Sequence, residues 1–186
     1  NPDLQWHGAD TLQELNRKLR DFEGIEKVDP PIGLQAELRD YQRQGLSWLQ
    51  FLREYDFNGI LADDMGLGKT VQTLSHFLLE KESGVMEQRF LVIVPTCLVS
   101  NWAREERIFA PALNVLIMHG SDRHDRIEHI ASHDVIITTD PLLRRDSETL
   151  QEQDLYTIVL DESQFIKNQK SKTTQVVFTL KAKHRL

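Results

Sequence analysis

The stretch "LADDMGLGKT", residues 61–70, closes on Gly66, Gly68, Lys69 and Thr70. A phosphate-binding loop, G-x-x-x-x-G-K-[ST], ends this way, except that Asp63 stands where the template has its first glycine. A phosphate needs converging backbone N–H donors, and a helix N-terminus supplies them with a favourable dipole. Gly66 and Gly68 let the backbone come close without an intervening Cβ. In this reading Asp64, Met65, Gly66, Leu67 and Gly68 wrap the phosphates. Lys69 sets its charge on the β- and γ-phosphates, and Thr70 gives its hydroxyl to magnesium. Average residue usage yields G-x-G-K-[ST] at about a few per hundred thousand positions, so chance explains it poorly.

The surroundings are those such a loop needs. "GILA" (59–62) reads as a strand entering it, and Val71, Leu74, Phe77 and Leu78 mark a helix leaving it. Further apolar runs follow: "FLVIV" (90–94), "LNVLIM" (113–118), "DVIITT" (134–139) and "YTIVLD" (156–161). Helices are expected around 99–109, in the His-rich stretch after 118, and near 172–180. Runs of Val, Ile and Leu covered on both faces belong to parallel sheets, and alternation with helices gives a doubly wound α/β fold. Ligands of such sheets sit beyond the carboxyl ends of the strands. Upstream, Leu38, Tyr41, Gly45, Trp48, Leu49 and Leu52 predict a helix over roughly 38–54. Residues 11–22 show helical spacing behind a Thr11–Glu14 capping box, and "DPPIG" (29–33) ends it. The chain thus divides into a helical flank and linker, 1–33, and a main domain, 34–186.

Phosphoryl transfer also needs carboxylates, and "TIVLDESQ" (157–164) runs a buried strand straight into Asp161-Glu162. Acidic residues at that end stand over the same crevice as the glycine loop. Asp161 would hold magnesium through its water shell, and Glu162 would polarise the attacking water as general base.

Hydrophobic residues make up 40% and charged residues 27%, the balance of an ordinary globular protein. No apolar run reaches membrane-spanning length, so no membrane partner is expected. The net charge of −7 argues against a protein that coats nucleic acid. Cations do gather in 163–186, as Lys167, Lys170, Lys172, Lys181, Lys183 and Arg185 with no acid; charge alone favours a solvated face. The single cysteine, Cys97, excludes an internal disulfide and is expected to be a small buried residue. His129 and His133 lie four apart, with His124 and Asp125 upstream; without a thiolate they read as solvated histidines rather than a zinc site. The start, "NPDLQWHGAD", has neither initiator Met nor signal peptide, so an excised fragment is expected.

Taken in order, these segments resemble helicase superfamily 2, and within it the Swi/Snf family of DNA-translocating ATPases, over about residues 34–186. "LRDYQRQGLSWL" (38–49) is similar to the segment whose glutamine, here Gln42, reads adenine. "GILADDMGLGKTVQ" (59–72) resembles motif I, which in that family has an acidic residue at the first glycine's place. "LVIVPTCLVSNWARE" (91–105) resembles motif Ia, and "VLIMHGSDR" (115–123) a family strand and turn. "DVIITTDPLLRRD" (134–146) resembles motif Ib, and "VLDESQFIKN" (159–168) motif II with its continuation. Two departures are small: Asp64 replaces the usual Glu, and Ser163 a usual Ala or Gly.

The resemblance implies a RecA-like sheet flanked by helices in three α/β/α layers, with ATP and magnesium as cofactors and double-stranded DNA as partner. The chain stops at "KHRL", before motif III, so it is expected to be one lobe of a two-lobe motor. A second RecA-like lobe would bring arginine fingers and the other half of the DNA groove. Closing on ATP between the lobes would walk the protein along duplex DNA and remodel protein–DNA complexes, making a DNA-bound protein a further partner. The lobe alone is expected to bind ATP with little turnover. Motif Ia offers Thr96, Ser100 and Asn101 as DNA contacts, and motif Ib offers Thr138, Thr139 and Arg144. Such groups suit phosphates, which position a protein without reading sequence. Trp102 is expected to be a core anchor, and Gln164 to couple the nucleotide site to the next motif. The alternatives are a P-loop NTPase of another class, such as a small-molecule kinase, or a non-hydrolysing nucleotide-binding module. Close motif spacing resembles prokaryotic members, giving an expected place in the cytoplasm at the nucleoid, or the nucleus in a eukaryote.

Overall fold

β1 (Arg89–Val94) reads RFLVIV, and every residue after Arg89 is buried. A strand with no solvent face must carry a helical layer on each side. The structure, a computed structural model describing residues 24–64, 66–84, 89–162 and 171–186 (side chains of 121–124 aside), provides both layers. β1 pairs in parallel with β3 (Val135–Thr139) on one side and β4 (Leu155–Leu160) on the other. β2 (Val115–Ile117) adds beyond β3, and β5 (Ala182–Arg185) beyond β4. The order is β2-β3-β1-β4-β5, all parallel.

Alternate residues of β1 feed the two faces. Phe90, Val92 and Val94 join Leu74, Phe77 and Leu78 of α2 (Lys69–Glu82) and Val99 and Trp102 of α3 (Val99–Phe109). Phe77 stacks on Phe90 with ring centroids 4.0 Å apart. α1 (Asp40–Glu54) packs on α2 through Leu46 and Val71. Leu91 and Ile93 point the other way, to Leu143 of α4 (Asp140–Arg145), Leu150 of α5 (Ser147–Gln151) and Val177 of α6 (Lys172–Thr179). Each such fully buried side chain contributes about 1.5–3 kcal/mol. None of the described helices is long and apolar enough to cross a membrane.

Two expectations need correction. "GILA" joins no ladder. It lies beside β5, where Gly59 N–H donates to the Arg185 carbonyl (3.1 Å) and Arg185 N–H to Asn58 Oδ1 (2.7 Å). The fifth strand is instead β5, hidden in the cationic C-terminal stretch. The helix expected in the His-rich segment is present as a 3-10 helix, Ser121–Ser132.

Residues 24–37 hold no helix or strand but are tied to the domain. Val28 N–H donates to Ser47 Oγ (3.1 Å), and Gln35 N–H to the Phe109 carbonyl (2.8 Å). The Glu82 carboxylate takes the N–H groups of Ile32 (2.9 Å) and Gly33 (2.7 Å). The helix expected at 11–22 lies outside the described residues.

Candidate active site

The carboxyl ends of β4 and β5, the segment 58–63 and the start of α2 enclose a cleft of about 690 Å³. Asp63, Lys69, Thr70, Trp102, Asp161 and Glu162 are among its lining residues. The two motifs that the sequence separates by some ninety residues therefore face one space.

The loop has the backbone its glycines foretell. Gly66 and Gly68 adopt φ of 83° and 81°, the left-handed region. Gly68 is the N-cap of α2 and brings no side-chain cap, so the first-turn N–H groups are left for an anion. A Cβ on Gly68 would stand 2.5 Å from Gln42 Nε2. That amide donates to the Leu67 carbonyl (3.1 Å), while Gln42 Oε1 accepts from Arg39 N–H (2.9 Å). Gln42 thus clamps the loop to α1, and is itself buried.

Asp63 has a partner that spacing did not announce. Gln72, fully buried on α2, donates Nε2–H to Asp63 Oδ2 at 3.0 Å. Gly45 of α1 makes room for that amide, since a Cβ there would lie 1.9 Å from Gln72 Oε1. Lys69 Nζ donates to the carbonyls of Asp63 (2.7 Å) and Asp64 (3.2 Å), so its charge already rests at the loop.

Across the cleft, Asp161 directly follows β4. Its N–H donates to the Ile93 carbonyl (3.0 Å), and its Oδ2 accepts from the Trp102 indole Nε1–H (2.8 Å). Trp102 is 2% exposed, an anchor as expected, with a polar task that a buried indole N–H requires. Glu162 takes φ of +55°, an outlier for a non-glycine residue. Such strain gathers where surrounding structure fixes a functional side chain.

About three turns further along α2, a buried polar group ties the layers together. Glu80, 0% exposed, accepts from Tyr156 Oη–H (3.0 Å) and pairs with Arg53 Nε at 3.3 Å. Gln50 Nε2 lies 2.8 Å from His76 Nδ1. Burial, then the Arg53 and His184 charges, lower the His76 pKa to about 3, so the ring is neutral. Burial, then Glu80, push the Tyr156 hydroxyl far up. Burial also lowers His184. Charged Glu80 at a core position of α2 was the visible clue to this group.

The nucleic-acid candidates divide. Thr96, Ser100 and Arg144 are exposed, and Asn101 is half-buried, bonded to Glu105 and Arg104. Thr138 and Thr139 are each 1% exposed inside β3 and present no hydroxyl to the surface. A strand covered on both faces takes its threonines inward with its isoleucines. Cys97 corrects another expectation: it is exposed on the 3-10 turn Thr96–Leu98, because Val99 takes the core position. His133 Nδ1 meets the His129 carbonyl (2.6 Å) and the Ser132 hydroxyl (3.2 Å). Met65 and Gln164 lie outside the described residues.

A cleft lined by Lys69, Thr70, Asp161 and Glu162, next to an uncapped helix N-terminus and two left-handed glycines, fits a magnesium–nucleotide. Lys69 and the loop would hold the phosphates, and Thr70 with Asp161 the metal. Comparison with known proteins identifies the family. The model of the SNF2-related domain matches residues 41–186. YwqA of Bacillus subtilis (strain 168) is 40% identical over 188 residues, 98% of this chain and 20% of YwqA. The ISWI chromatin-remodeling complex ATPase ISW2 of Saccharomyces cerevisiae is 40% identical over 162 residues, 84% of this chain and 14% of ISW2. The Sulfolobus solfataricus SWI2/SNF2 ATPase core in complex with dsDNA matches with TM-score 0.79 and 37% identity, covering 86% of this chain and 33% of that one. The chain therefore spans a third or less of the length of each of these proteins. The match over residues 41–186, on a RecA-like parallel sheet shared with the SWI2/SNF2 ATPase core, shows that the chain belongs to the SNF2-related domain family.

Proposed function

We propose that this chain is the ATP-binding lobe of a DNA-dependent ATPase that translocates on duplex DNA and remodels protein–DNA complexes. The observation that carries the reading is one cleft lined at once by Lys69, Thr70, Asp161 and Glu162. Lys69 exchanges its loop carbonyls for the β- and γ-phosphate oxygens. The α2 N-terminus and the loop N–H groups fix those phosphates in place. Magnesium, when bound by Thr70 and Asp161, supplies the positive charge that phosphoryl transfer needs. Glu162 orients and polarises the water as general base. Thr96, Ser100, Asn101 and Arg144, which follow β1 and β3, take the duplex backbone. A second lobe, as in a two-lobe motor, completes the site and the DNA groove.

The test is ATP hydrolysis by the full-length protein with and without duplex DNA, beside Lys69→Ala and Glu162→Gln. Duplex DNA should stimulate hydrolysis, and each substitution should lower it by about 10²-fold or more. Hydrolysis untouched by both substitutions would end the assignment. Residues 1–186 alone should bind ATP and turn it over little. Strong DNA-stimulated turnover by them would overturn the two-lobe requirement.

A further inference from the structure

We propose that Trp102 is the positioning residue of Asp161, and that it connects the exposed turn after β1 to the metal carboxylate. This rests on the ATPase reading above. Trp102 and Asp161 stand 59 residues apart in sequence, yet the indole Nε1–H reaches Asp161 Oδ2 at 2.8 Å. One carboxylate oxygen is thereby fixed, leaving Oδ1 to address a ligand in the cleft that both residues line. Carboxylates that hold metals are oriented by such hydrogen bonds.

The second half of the inference is mechanical. Trp102 lies one turn into α3, directly after Ser100 and Asn101. The turn before it, Thr96–Leu98, exposes Thr96 and Cys97. Val99, Trp102 and Glu106 form the buried side of α3. Asp161 N–H is bonded to the Ile93 carbonyl of β1, the strand from which this turn emerges. Asp161 is thus held twice, once by β1 and once by α3, with the exposed turn between the two holds. A duplex that shifts the start of α3 moves the indole, and with it one oxygen of the carboxylate. The contact is a packed, hydrogen-bonded path between the two surfaces.

Trp102→Phe keeps an aromatic ring in the core but removes the pyrrole part of the indole, its N–H included. In the full-length protein the magnesium concentration for half-maximal hydrolysis should rise roughly tenfold. Stimulation by duplex DNA should fall, while the KM for ATP at saturating magnesium stays near its original value. A purely structural loss would reduce active protein and leave the magnesium midpoint in place. A second measurement needs no stable variant. In the ¹⁵N-labelled 186-residue chain, the Trp102 indole N–H resonance should move when magnesium and ADP are added, and again with duplex DNA. An unchanged magnesium midpoint in Trp102→Phe, or an indole resonance indifferent to magnesium and ADP, overturns the proposal. The two readings fail separately. Hydrolysis that survives Lys69→Ala and Glu162→Gln sinks the ATPase reading, whereas their loss beside a wild-type Trp102→Phe sinks this one alone.

Discussion

Gly45→Ala should loosen the phosphate loop from a neighbouring helix. Gly45 sits in α1, and a Cβ there would stand 1.9 Å from Gln72 Oε1 and 3.0 Å from Gln72 Cδ. The Gln72 amide must then move, and it is the group that holds Asp63 Oδ2 at 3.0 Å. Losing a hydrogen bond to a charged group removes about 1.5–3 kcal/mol. Against this, alanine in a helix interior gains about 0.8–1 kcal/mol over glycine. The net is a destabilisation of about 1–2 kcal/mol, or roughly 2–4 °C in Tm for each kcal/mol in a domain of this size. The decisive comparison repeats the substitution in Gln72→Ala. The three nearest atoms to the new Cβ all belong to Gln72, so without them only the helix gain remains. Gly45→Ala should then stabilise by about 0.8–1 kcal/mol, giving an interaction energy of about 2–3 kcal/mol in the double-mutant cycle. Urea unfolding of the four proteins, followed by circular dichroism, measures it. Equal destabilisation in both backgrounds would refute the reasoning.

Other outcomes follow from the same geometry. Gly66→Ala and Gly68→Ala each place a Cβ at positive φ, at about 1–2 kcal/mol. Only at Gly68 does that atom also meet Gln42, so thermal melts should show Gly68→Ala worse by about 1 kcal/mol through the Gln42–Leu67 bond. Tyr156→Phe removes the donor to buried Glu80 Oε2 and should lower unfolding free energy by about 1–3 kcal/mol in urea. His76 gives a pH dependence of known sign. Its pKa is about 3 folded and 6.5 unfolded, so between these values the unfolded chain binds the extra proton. Stability from this group is full above 6.5 and falls as pH drops, by at most about 1.4 kcal/mol per unit. Unfolding curves of His76→Gln between about pH 6 and 5 should be flatter than those of the original chain by that slope.

How far the sequence could be read depended on where each signal was stored. β1, β3 and β4 were legible because strands covered on both faces are rich in Val, Ile and Leu. "GILA" is apolar too, but strand identity is a property of pairs, and its neighbour β5 reads Ala-Lys-His-Arg. That run lacks apolar character because Lys183 is exposed beside Asp56 while His184 alone fills the buried position. The phosphate loop and the Asp161-Glu162 pair were legible because their chemistry is local. The contacts that hold them were not. Gln72 to Asp63, Gln42 to Leu67 and Trp102 to Asp161 span 9, 25 and 59 residues, and no periodicity marks them. Thr138 and Thr139 misled for the opposite reason: hydroxyls in a motif invite a contact, but the strand carrying them is fully buried.

The replaced glycine at Asp63 then has a physical account. In the usual loop the first glycine gives a tight turn with no side chain to place. Here the side chain is placed: Gln72 pins the Asp63 carboxylate to α2, and Gln42 pins the Leu67 carbonyl to α1. Both ends of the loop are anchored by amides from two packed helices. Among the described residues, Lys69 is the member of this set bound only to the loop's own backbone, by two neutral carbonyl oxygens. An ammonium gains a Coulomb attraction to an anionic oxygen that a neutral carbonyl does not offer. On the proposed ATPase reading, a polyphosphate would draw Lys69 off Asp63 and Asp64 without disturbing either anchor. The acidic residue removes the turn's freedom and leaves the lysine its own, so such binding would order one side chain instead of rebuilding a loop.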